Sequence, residues 1–196
     1  GFCLWQTRYT DHSVASSPWK NGQGDVLQEL AKSCEKYGLR LGIYLSPADL
    51  YQIESTNGYY GNGSEFTERT IPRTVEGRPF EDQRTFTYLV DDYNEYFMNQ
   101  LFELLTEYGP IYDVWFDGAN PKPGTGQTYT YTAWYDMIRE LAPDAVIFGK
   151  GPDSRWCGNE GGATRNAEYN AIPLSVSPDT YDWPDRTEIN IAGREK

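Results

Sequence analysis

The sequence is poor in the residues that build metal and redox sites. Its 196 residues include one histidine, two methionines and three cysteines. A metal site built on several histidines is therefore excluded, and no C-x-x-C pair is present for a zinc ribbon or a thioredoxin-type motif. Cys3, Cys34 and Cys157 are far apart and odd in number, so we expect buried free thiols rather than a disulfide framework.

Positive charge and long apolar runs are also scarce. Lys and Arg number 17 against 29 Asp and Glu, which leaves a formal net charge of −12. Nucleic acid or an anionic membrane surface would require a basic face, so neither is expected as the main partner. No run approaches the ~18 apolar residues of a membrane span, so membrane insertion is not expected. Aromatic residues are plentiful, with 16 Tyr and 6 Trp.

Hydrophobic periodicity predicts helices that alternate with short apolar strands. The predicted helices cover residues 25–37, 92–108 and 132–141, and the predicted strands cover 39–45, 111–116 and 145–149. Asp25 and Gln28 resemble a capping box, and Gly38 supplies a helix stop. Strands that alternate with helices of this length indicate βαβ units and a parallel sheet, which places the chain in the α/β class.

Two further features refine the fold prediction. No G-x-G-x-x-G or G-x-x-x-x-G-K-[ST] motif follows a strand, although a doubly wound sheet usually carries a phosphate-binding turn there. This favours a (β/α)-barrel of the TIM type, in which catalytic side chains lie at the carboxyl ends of the strands. Residues 48–89 are polar and too long for an ordinary βα loop, so we interpret them as a functional loop insertion.

Two carboxylates occupy positions where such a barrel places its chemistry. Asp117 directly follows the apolar strand 111–116, and Glu160 lies in a glycine-rich stretch after the strand 145–149. Taken singly, Asp117 could be a helix cap or part of a loop ion pair, and Glu160 an ordinary surface residue. Together, amid Trp and Tyr, they match the pair of carboxylates that glycoside hydrolysis requires.

Several strings of the sequence resemble the catalytic domain of the α-L-fucosidases of glycoside hydrolase family 29. They are GFCLW (1–5), YTDHSVASSPWKNGQGDV (9–26), GIYLSP (42–47), LTEYGPIYDVWFDGA (105–119) and RWCGNEGG (155–162). The segment 66–105 resembles the branch of that family that is specific for α-1,3/1,4-linked fucose. The resemblance covers essentially the whole chain.

The resemblance implies a retaining double displacement in a (β/α)-barrel that uses no metal and no cofactor. Asp117 in WFDG matches the family's nucleophile, and Glu160 in GNE matches the acid/base of the α-1,3/1,4 branch. Tyr44 and Trp115 match residues that line the fucose pocket. We also expect Trp5 to pack against the methyl edge of fucose, although a place in the core is its alternative.

The family pattern further implies that residues 1–196 form only part of the barrel, without its first and last strands. Family members carry a His-His-Asp stretch directly before GFCLW, and a full barrel is typically about 250 residues. The expected substrate is a fucosylated oligosaccharide or a Lewis-type glycoprotein glycan, which suggests an extracellular or periplasmic enzyme. A catalytically inactive glycan-binding fragment and a retaining glycosidase for another sugar remain as alternatives.

Overall fold

The computed structural model describes residues 1–118, 126–149 and 152–154. Its longer helices and strands in chain order are α1 (Val26–Tyr37), β1 (Leu41–Tyr44), α2 (Leu50–Glu54), β2 (Thr67–Ile71), β3 (Phe86–Val90), α3 (Asp92–Glu107), β4 (Ile111–Phe116), α4 (Tyr131–Leu141) and β5 (Val146–Gly149). Short 3-10 helices cover Val14–Ser16 and Trp19–Gly22. The three predicted helices and three predicted strands are confirmed, with bounds shifted by up to two residues.

Three parallel strands form the main sheet, in the order β1-β4-β5. The register pairs Tyr44 with Trp115 and Trp115 with Phe148, so the three strands end side by side. Consecutive strands of this sheet are joined through helices, as the predicted βαβ units require. The α/β class with a parallel sheet is therefore confirmed.

Local signals account for the limits of α1. The Asp25 carboxylate accepts a hydrogen bond from the Gln28 backbone N–H at 2.8 Å, which satisfies one of the free donors at the start of the helix. Gly38 ends the helix in the left-handed conformation at φ 65°, where a residue without a Cβ is favoured. The predicted capping box and stop are thus present.

The segment 48–89 contains regular structure that a loop interpretation did not include. It holds α2 and most of an antiparallel hairpin, in which Thr67 pairs with Val90 and Ile71 with Phe86. The hairpin is attached to α3, because Arg69 donates to Asp92 and Glu95 at 2.6 Å each. The segment therefore contains a hairpin that packs against α3.

The core lies between the sheet and the helices α3 and α4. Phe97 of α3 and Trp134 of α4 stack with ring centroids 4.1 Å apart, and both are fully buried. Val114 and Ile147 fill the same layer from the sheet. Among the described residues, no helix has the length and apolar character needed to cross a membrane. Cys3 and Cys34 are buried free thiols, as expected, and Cys157 lies outside the described residues.

A buried carboxylate ties the amino-terminal segment to α3. Glu103 is fully buried and accepts hydrogen bonds from the Trp5 indole N–H at 3.0 Å and the Thr7 hydroxyl at 2.6 Å. The backbone N–H and the guanidinium of Arg8 donate to its other oxygen at 2.7 and 3.1 Å. Arg8 also pairs with Glu107, so each charged group of this cluster has a partner.

Candidate active site

An aromatic row crosses the carboxyl end of the parallel sheet. Tyr44 of β1, Trp115 of β4 and Phe148 of β5 occupy paired positions, so their side chains point to the same face. The ring centroids of Tyr44 and Trp115 are 5.3 Å apart, and those of Trp115 and Phe148 are also 5.3 Å apart. Both contacts are edge-to-face, the arrangement that the ring quadrupole favours.

Asp117 lies at the open end of this row, directly after β4. Its side chain is exposed, and the Tyr44 hydroxyl donates a hydrogen bond of 2.6 Å to its Oδ2 atom. The Ser46 hydroxyl donates to the Asp117 backbone carbonyl at 2.7 Å and accepts from the Ala48 N–H at 3.1 Å. One carboxylate oxygen and the main chain of Asp117 are therefore both held by the end of β1.

Tyr44 remains a hydrogen-bond donor over the whole range of pH in which proteins are active. Desolvation, followed by its hydrogen bond to the Asp117 carboxylate and the charge of that group, raises the pKa of the Tyr44 phenol to about 12. The phenol keeps its proton because an ionised oxygen would face the carboxylate of Asp117. The protonated phenol can therefore donate to the Asp117 carboxylate and orient it, and it does not add a second anion to the site.

Gly149, at the end of β5, lies against the β4 residues that directly precede Asp117. Gly149 ends β5 at φ +84°, and a Cβ there would lie 2.1 Å from the Phe116 carbonyl oxygen and 3.0 Å from the Trp115 ring. Only a residue without a side chain allows β5 to approach β4 so closely. The spacing of Trp115 and Phe148 depends on that approach.

The structure places the five sequence-predicted site residues differently. Tyr44, Trp115 and Asp117 form one cluster, as described above. Trp5 is 7% exposed, bonds to Glu103 and lines, with Gly42 and Tyr44, a cleft of about 290 Å³ beside β1. Glu160 lies outside the described residues.

Sequence reasoning missed two members of the cluster, Ser46 and Phe148. The spacing could have predicted Ser46. It stands two residues after Tyr44, so in an extended chain its hydroxyl lies on the same side as the Tyr44 ring. Phe148 shares its position in the register with Trp115, which follows from strand alternation only when the pairing is known. Neither residue carries chemistry that a motif would single out.

A carboxylate and a row of aromatic rings at the carboxyl end of a parallel sheet define a site typical of enzymes that act on carbohydrates. Residues 1–174 match the family "Alpha-L-fucosidase". The chain belongs to the α-L-fucosidase family.

Individual relatives agree with this assignment. The chain is 40% identical over 163 residues to "Alpha-L-fucosidase 1" of Arabidopsis thaliana, an alignment that covers 83% of this chain and 26% of that protein. A crystal structure of a candidate α-L-fucosidase from Bacteroides ovatus matches with a TM-score of 0.66 and 38% identity, over 95% of this chain and 30% of that one.

A structure of a glycoside hydrolase family 29 fucosidase from Ruminococcus gnavus in complex with fucose matches with a TM-score of 0.58 and 30% identity. That match covers 84% of this chain and 32% of the other. The chain thus spans about a quarter to a third of the length of its relatives.

Proposed function

We propose that the complete protein carrying this chain is a retaining exo-α-L-fucosidase that removes α-1,3/1,4-linked fucose from glycans. The observation that supports it is the hydrogen bond from Tyr44 to Asp117 at the end of an aromatic row, in a chain of the α-L-fucosidase family. This bond holds one carboxylate oxygen and leaves the other exposed at the edge of the sheet, where a nucleophile must meet its substrate.

In the proposed reaction Asp117 attacks the anomeric carbon of fucose. A new bond forms between a carboxylate oxygen and that carbon, while the bond to the glycosidic oxygen breaks and its electron pair stays with the leaving group. Glu160 donates the proton that the departing oxygen takes up. The product of this step is a fucosyl ester of Asp117 and the shortened glycan.

The second step reverses the roles. The Glu160 carboxylate takes a proton from water, the water oxygen bonds to the anomeric carbon, and the bond to Asp117 breaks. Two inversions retain the configuration of the sugar. The mechanism requires the two carboxyl groups to be about 5–5.5 Å apart, a separation that a structure with bound fucose would measure.

The row of rings suits the shape of fucose. Fucose carries an apolar methyl group at C6. Trp115 is 36% exposed, so its ring offers that methyl group an apolar surface beside Asp117. Tyr44 is 53% exposed and contacts Trp115 at the same place. The reaction as proposed needs protein side chains and water alone, without a metal or cofactor.

The architecture and setting of the complete protein belong to the same proposal. Residues 1–196 form part of a (β/α)-barrel without its first and last strands, and residues 48–89 are an insertion after the strand that carries Tyr44. The substrates are fucosylated oligosaccharides or Lewis-type glycoprotein glycans. Because such glycans lie outside cells, the enzyme acts in the extracellular space or the periplasm.

The decisive experiment is chemical rescue of the Asp117→Ala variant of the complete protein. We expect fucose release from an aryl α-L-fucoside to fall by about 10³-fold or more, because no nucleophile remains. Added azide should restore turnover and yield a fucosyl azide of inverted configuration. Asp144→Ala, which removes an exposed carboxylate from the turn before β5, is the matched control and should keep full activity.

Two outcomes would overturn the proposal. Normal activity of the Asp117→Ala variant would remove the assigned nucleophile. Hydrolysis of another aryl glycoside in preference to the fucoside, in a panel of sugars, would replace fucose as the substrate. Comparison of α-1,3- and α-1,4-linked trisaccharides with α-1,2- and α-1,6-linked fucosides tests the linkage.

A further inference from the structure

A cleft opens at the end of the sheet opposite to Asp117. It has a volume of about 390 Å³ and lies between α1 and the amino ends of β1 and β4. Its lining includes the buried side chains of Leu41 and Tyr108 and the ring of Tyr112, which is 36% exposed. The volume is in the range of small-molecule sites, and we call this feature the amino-end cleft.

Three cations beside this cleft have no ionic partner among the described residues. Lys32 lines the cleft, Lys36 follows one turn later on α1, and Arg40 directly precedes β1. All three side chains are exposed. The unpaired positive charge of the described residues is thus concentrated at the amino-end cleft.

The other Lys and Arg side chains that the structure describes are engaged elsewhere. Arg78 donates to the backbone carbonyls of residues 6 and 7. The remainder form ion pairs with carboxylates: Arg8, Lys20, Arg69, Arg73, Arg84 and Arg139. The three cations at the cleft therefore differ from the rest in being free to bind an anion.

Aromatic rings stand beside two of these cations. The guanidinium of Arg40 lies 5.1 Å from the centre of the Tyr112 ring, and the Lys36 ammonium lies 5.1 Å from that of Tyr37. Tyr37 is 69% exposed, and Leu39, two residues later, is 64% exposed. Rings and cations on one exposed surface suit a ligand that has both an apolar face and a negative charge.

An anionic sugar combines these two properties. The C–H groups on one side of a pyranose pack against an aromatic ring, while a sulfate or carboxylate group accepts hydrogen bonds from Lys and Arg. The net charge of −12 has little influence at the cleft, because charges beyond the Debye length of about 8 Å are screened at physiological ionic strength.

Two carboxylates also line the amino-end cleft. Glu107 is neutralised by its ion pair with Arg8. Glu35 is exposed on α1, three residues after Lys32, and opposes the binding of an anion. Its single negative charge reduces the positive charge of Lys32, Lys36 and Arg40 but does not reverse it.

We propose that the amino-end cleft binds a sugar that carries a sulfate or carboxylate group, with Lys32 and Arg40 pairing with the anion and Tyr112 packing against the pyranose ring. The site is separate from the candidate active site, because Tyr112 and Asp117 are five residues, or about 16 Å of extended chain, apart. It goes beyond the proposed function and does not depend on it. Its role is to hold the protein on acidic glycans, outside the chemistry of fucose release.

The test measures binding of the complete protein to chondroitin sulfate, a polymer of sulfated and carboxylated sugars. Uncharged dextran and poly-L-glutamate are the comparison polymers. We expect saturable binding to chondroitin sulfate that weakens as the salt concentration rises. Dextran lacks the anion and poly-L-glutamate lacks the ring, so both should bind more weakly.

Single substitutions identify the residues that bind. Lys32→Gln and Arg40→Gln should each raise the Kd for chondroitin sulfate about 3- to 5-fold, the loss expected for one partly exposed charge pair. Glu35→Gln should lower that Kd about 2- to 5-fold, because it removes a repulsive charge from the cleft. Arg73→Gln makes the same change in net charge on a side chain that is 54% exposed beyond β2, and should leave the Kd unchanged.

The possible results have distinct meanings. Equal binding of chondroitin sulfate and poly-L-glutamate would show a general attraction of polyanions and overturn the sugar site. Weaker binding by Glu35→Gln, or no binding by the unaltered protein, would overturn it as well. The proposed function is tested separately, since kcat/KM for an aryl fucoside should be the same in all four variants.

Discussion

At the scale of single residues, the phenol of Tyr44 is the group that most directly controls Asp117. Its hydroxyl is 2.6 Å from the carboxylate, a short and charge-assisted hydrogen bond. Since the pKa of Tyr44 is raised to about 12, this donor keeps its proton at neutral pH and well above it. The carboxylate is thus oriented by a donor that stays protonated.

Replacement of Tyr44 by Phe tests this orientation. We expect kcat/KM for an aryl fucoside to fall about 10- to 100-fold, because the Asp117 carboxylate is no longer held in the orientation that the proposed attack requires. The thermal midpoint should change little, since the ring remains and the hydroxyl is at an exposed edge. Tyr112→Phe, on the same sheet toward its opposite end, serves as the control and should keep normal activity.

Activity that is unchanged in Tyr44→Phe would show that Asp117 needs no donor from β1. A loss equal to that of Asp117→Ala would instead mean that the phenol itself takes part in the chemistry. The two results separate an orienting role from a catalytic one.

At the scale of elements, the cluster around Glu103 decides how residues 5–8 attach to α3. Burial raises the pKa of the Glu103 carboxyl above its ordinary value, while its hydrogen-bond donors oppose that effect. The guanidinium of Arg8 also lies 3.8 Å from the centre of the Phe80 ring, in the loop between β2 and β3. One buried charge pair thus connects three parts of the chain.

Glu103→Gln breaks this pair without a change of size. We expect a loss of about 3 kcal/mol of stability, because Arg8 stays buried with one of its two carboxylate partners no longer charged. Hydrogen–deuterium exchange should accelerate first at residues 5–10, where the Arg8 N–H now bonds to Glu103.

Glu107→Gln removes the partly exposed partner of Arg8 and should cost about 1 kcal/mol or less. Equal effects of the two substitutions on exchange at residues 5–10 would contradict the dominance of the buried carboxylate. The comparison holds the helix, the side-chain length and the shared partner constant.

Local signals in the sequence were sufficient for α1, α3 and the three parallel strands. Each has its own periodicity, and α1 carries its cap and stop within the same fourteen residues, 25–38. Local signals did not predict the hairpin of β2 and β3, because Thr67–Ile71 is mostly polar and exposed and fourteen residues separate it from its partner strand. Its attachment depends on the pairing of Arg69 with α3, a long-range contact that no local pattern reveals.

The site divides in the same way. Asp117 stands out because a carboxylate directly after an apolar strand is unusual, whereas Tyr44 and Trp115 were added by resemblance to a family. The place of Trp5 could not be predicted from the sequence, because an indole ring suits a sugar pocket and a hydrophobic core equally well. Here the partner of its N–H is Glu103.

At the scale of the whole molecule, partly or fully desolvated phenols govern the response to alkali. Desolvation raises the pKa of six tyrosines among the described residues: Tyr9, Tyr44, Tyr88, Tyr93, Tyr96 and Tyr108. Those of Tyr44 and Tyr88 are raised to about 12. In the unfolded chain the same groups ionise near pH 10.

The direction in which pH changes the stability follows from which state, folded or unfolded, binds more protons. Above about pH 10 the unfolded chain loses protons that the folded chain retains, so the free energy of unfolding falls as pH rises. Below about pH 10 both states are protonated and this contribution is constant. We expect the denaturation midpoint to drop steeply above about pH 10, together with the cooperative appearance of tyrosinate absorbance.

Full tyrosinate absorbance of the folded protein near pH 10, without unfolding, would contradict the raised pKa of these six phenols.

The sequence by itself determined the alternation of helices and strands, the acidic and aromatic character of the chain, and the candidate nucleophile Asp117. These follow from short-range order, because periodicity, caps and strand ends lie within a few neighbouring residues. Only the tertiary structure decided which side chains meet. The Tyr44–Asp117 bond, the Ser46 contact and the stack of His12 on Tyr51 join residues 39 to 73 positions apart. Such contacts depend on how strands pair and loops pack, and a local sequence pattern does not show which distant residues are close in space.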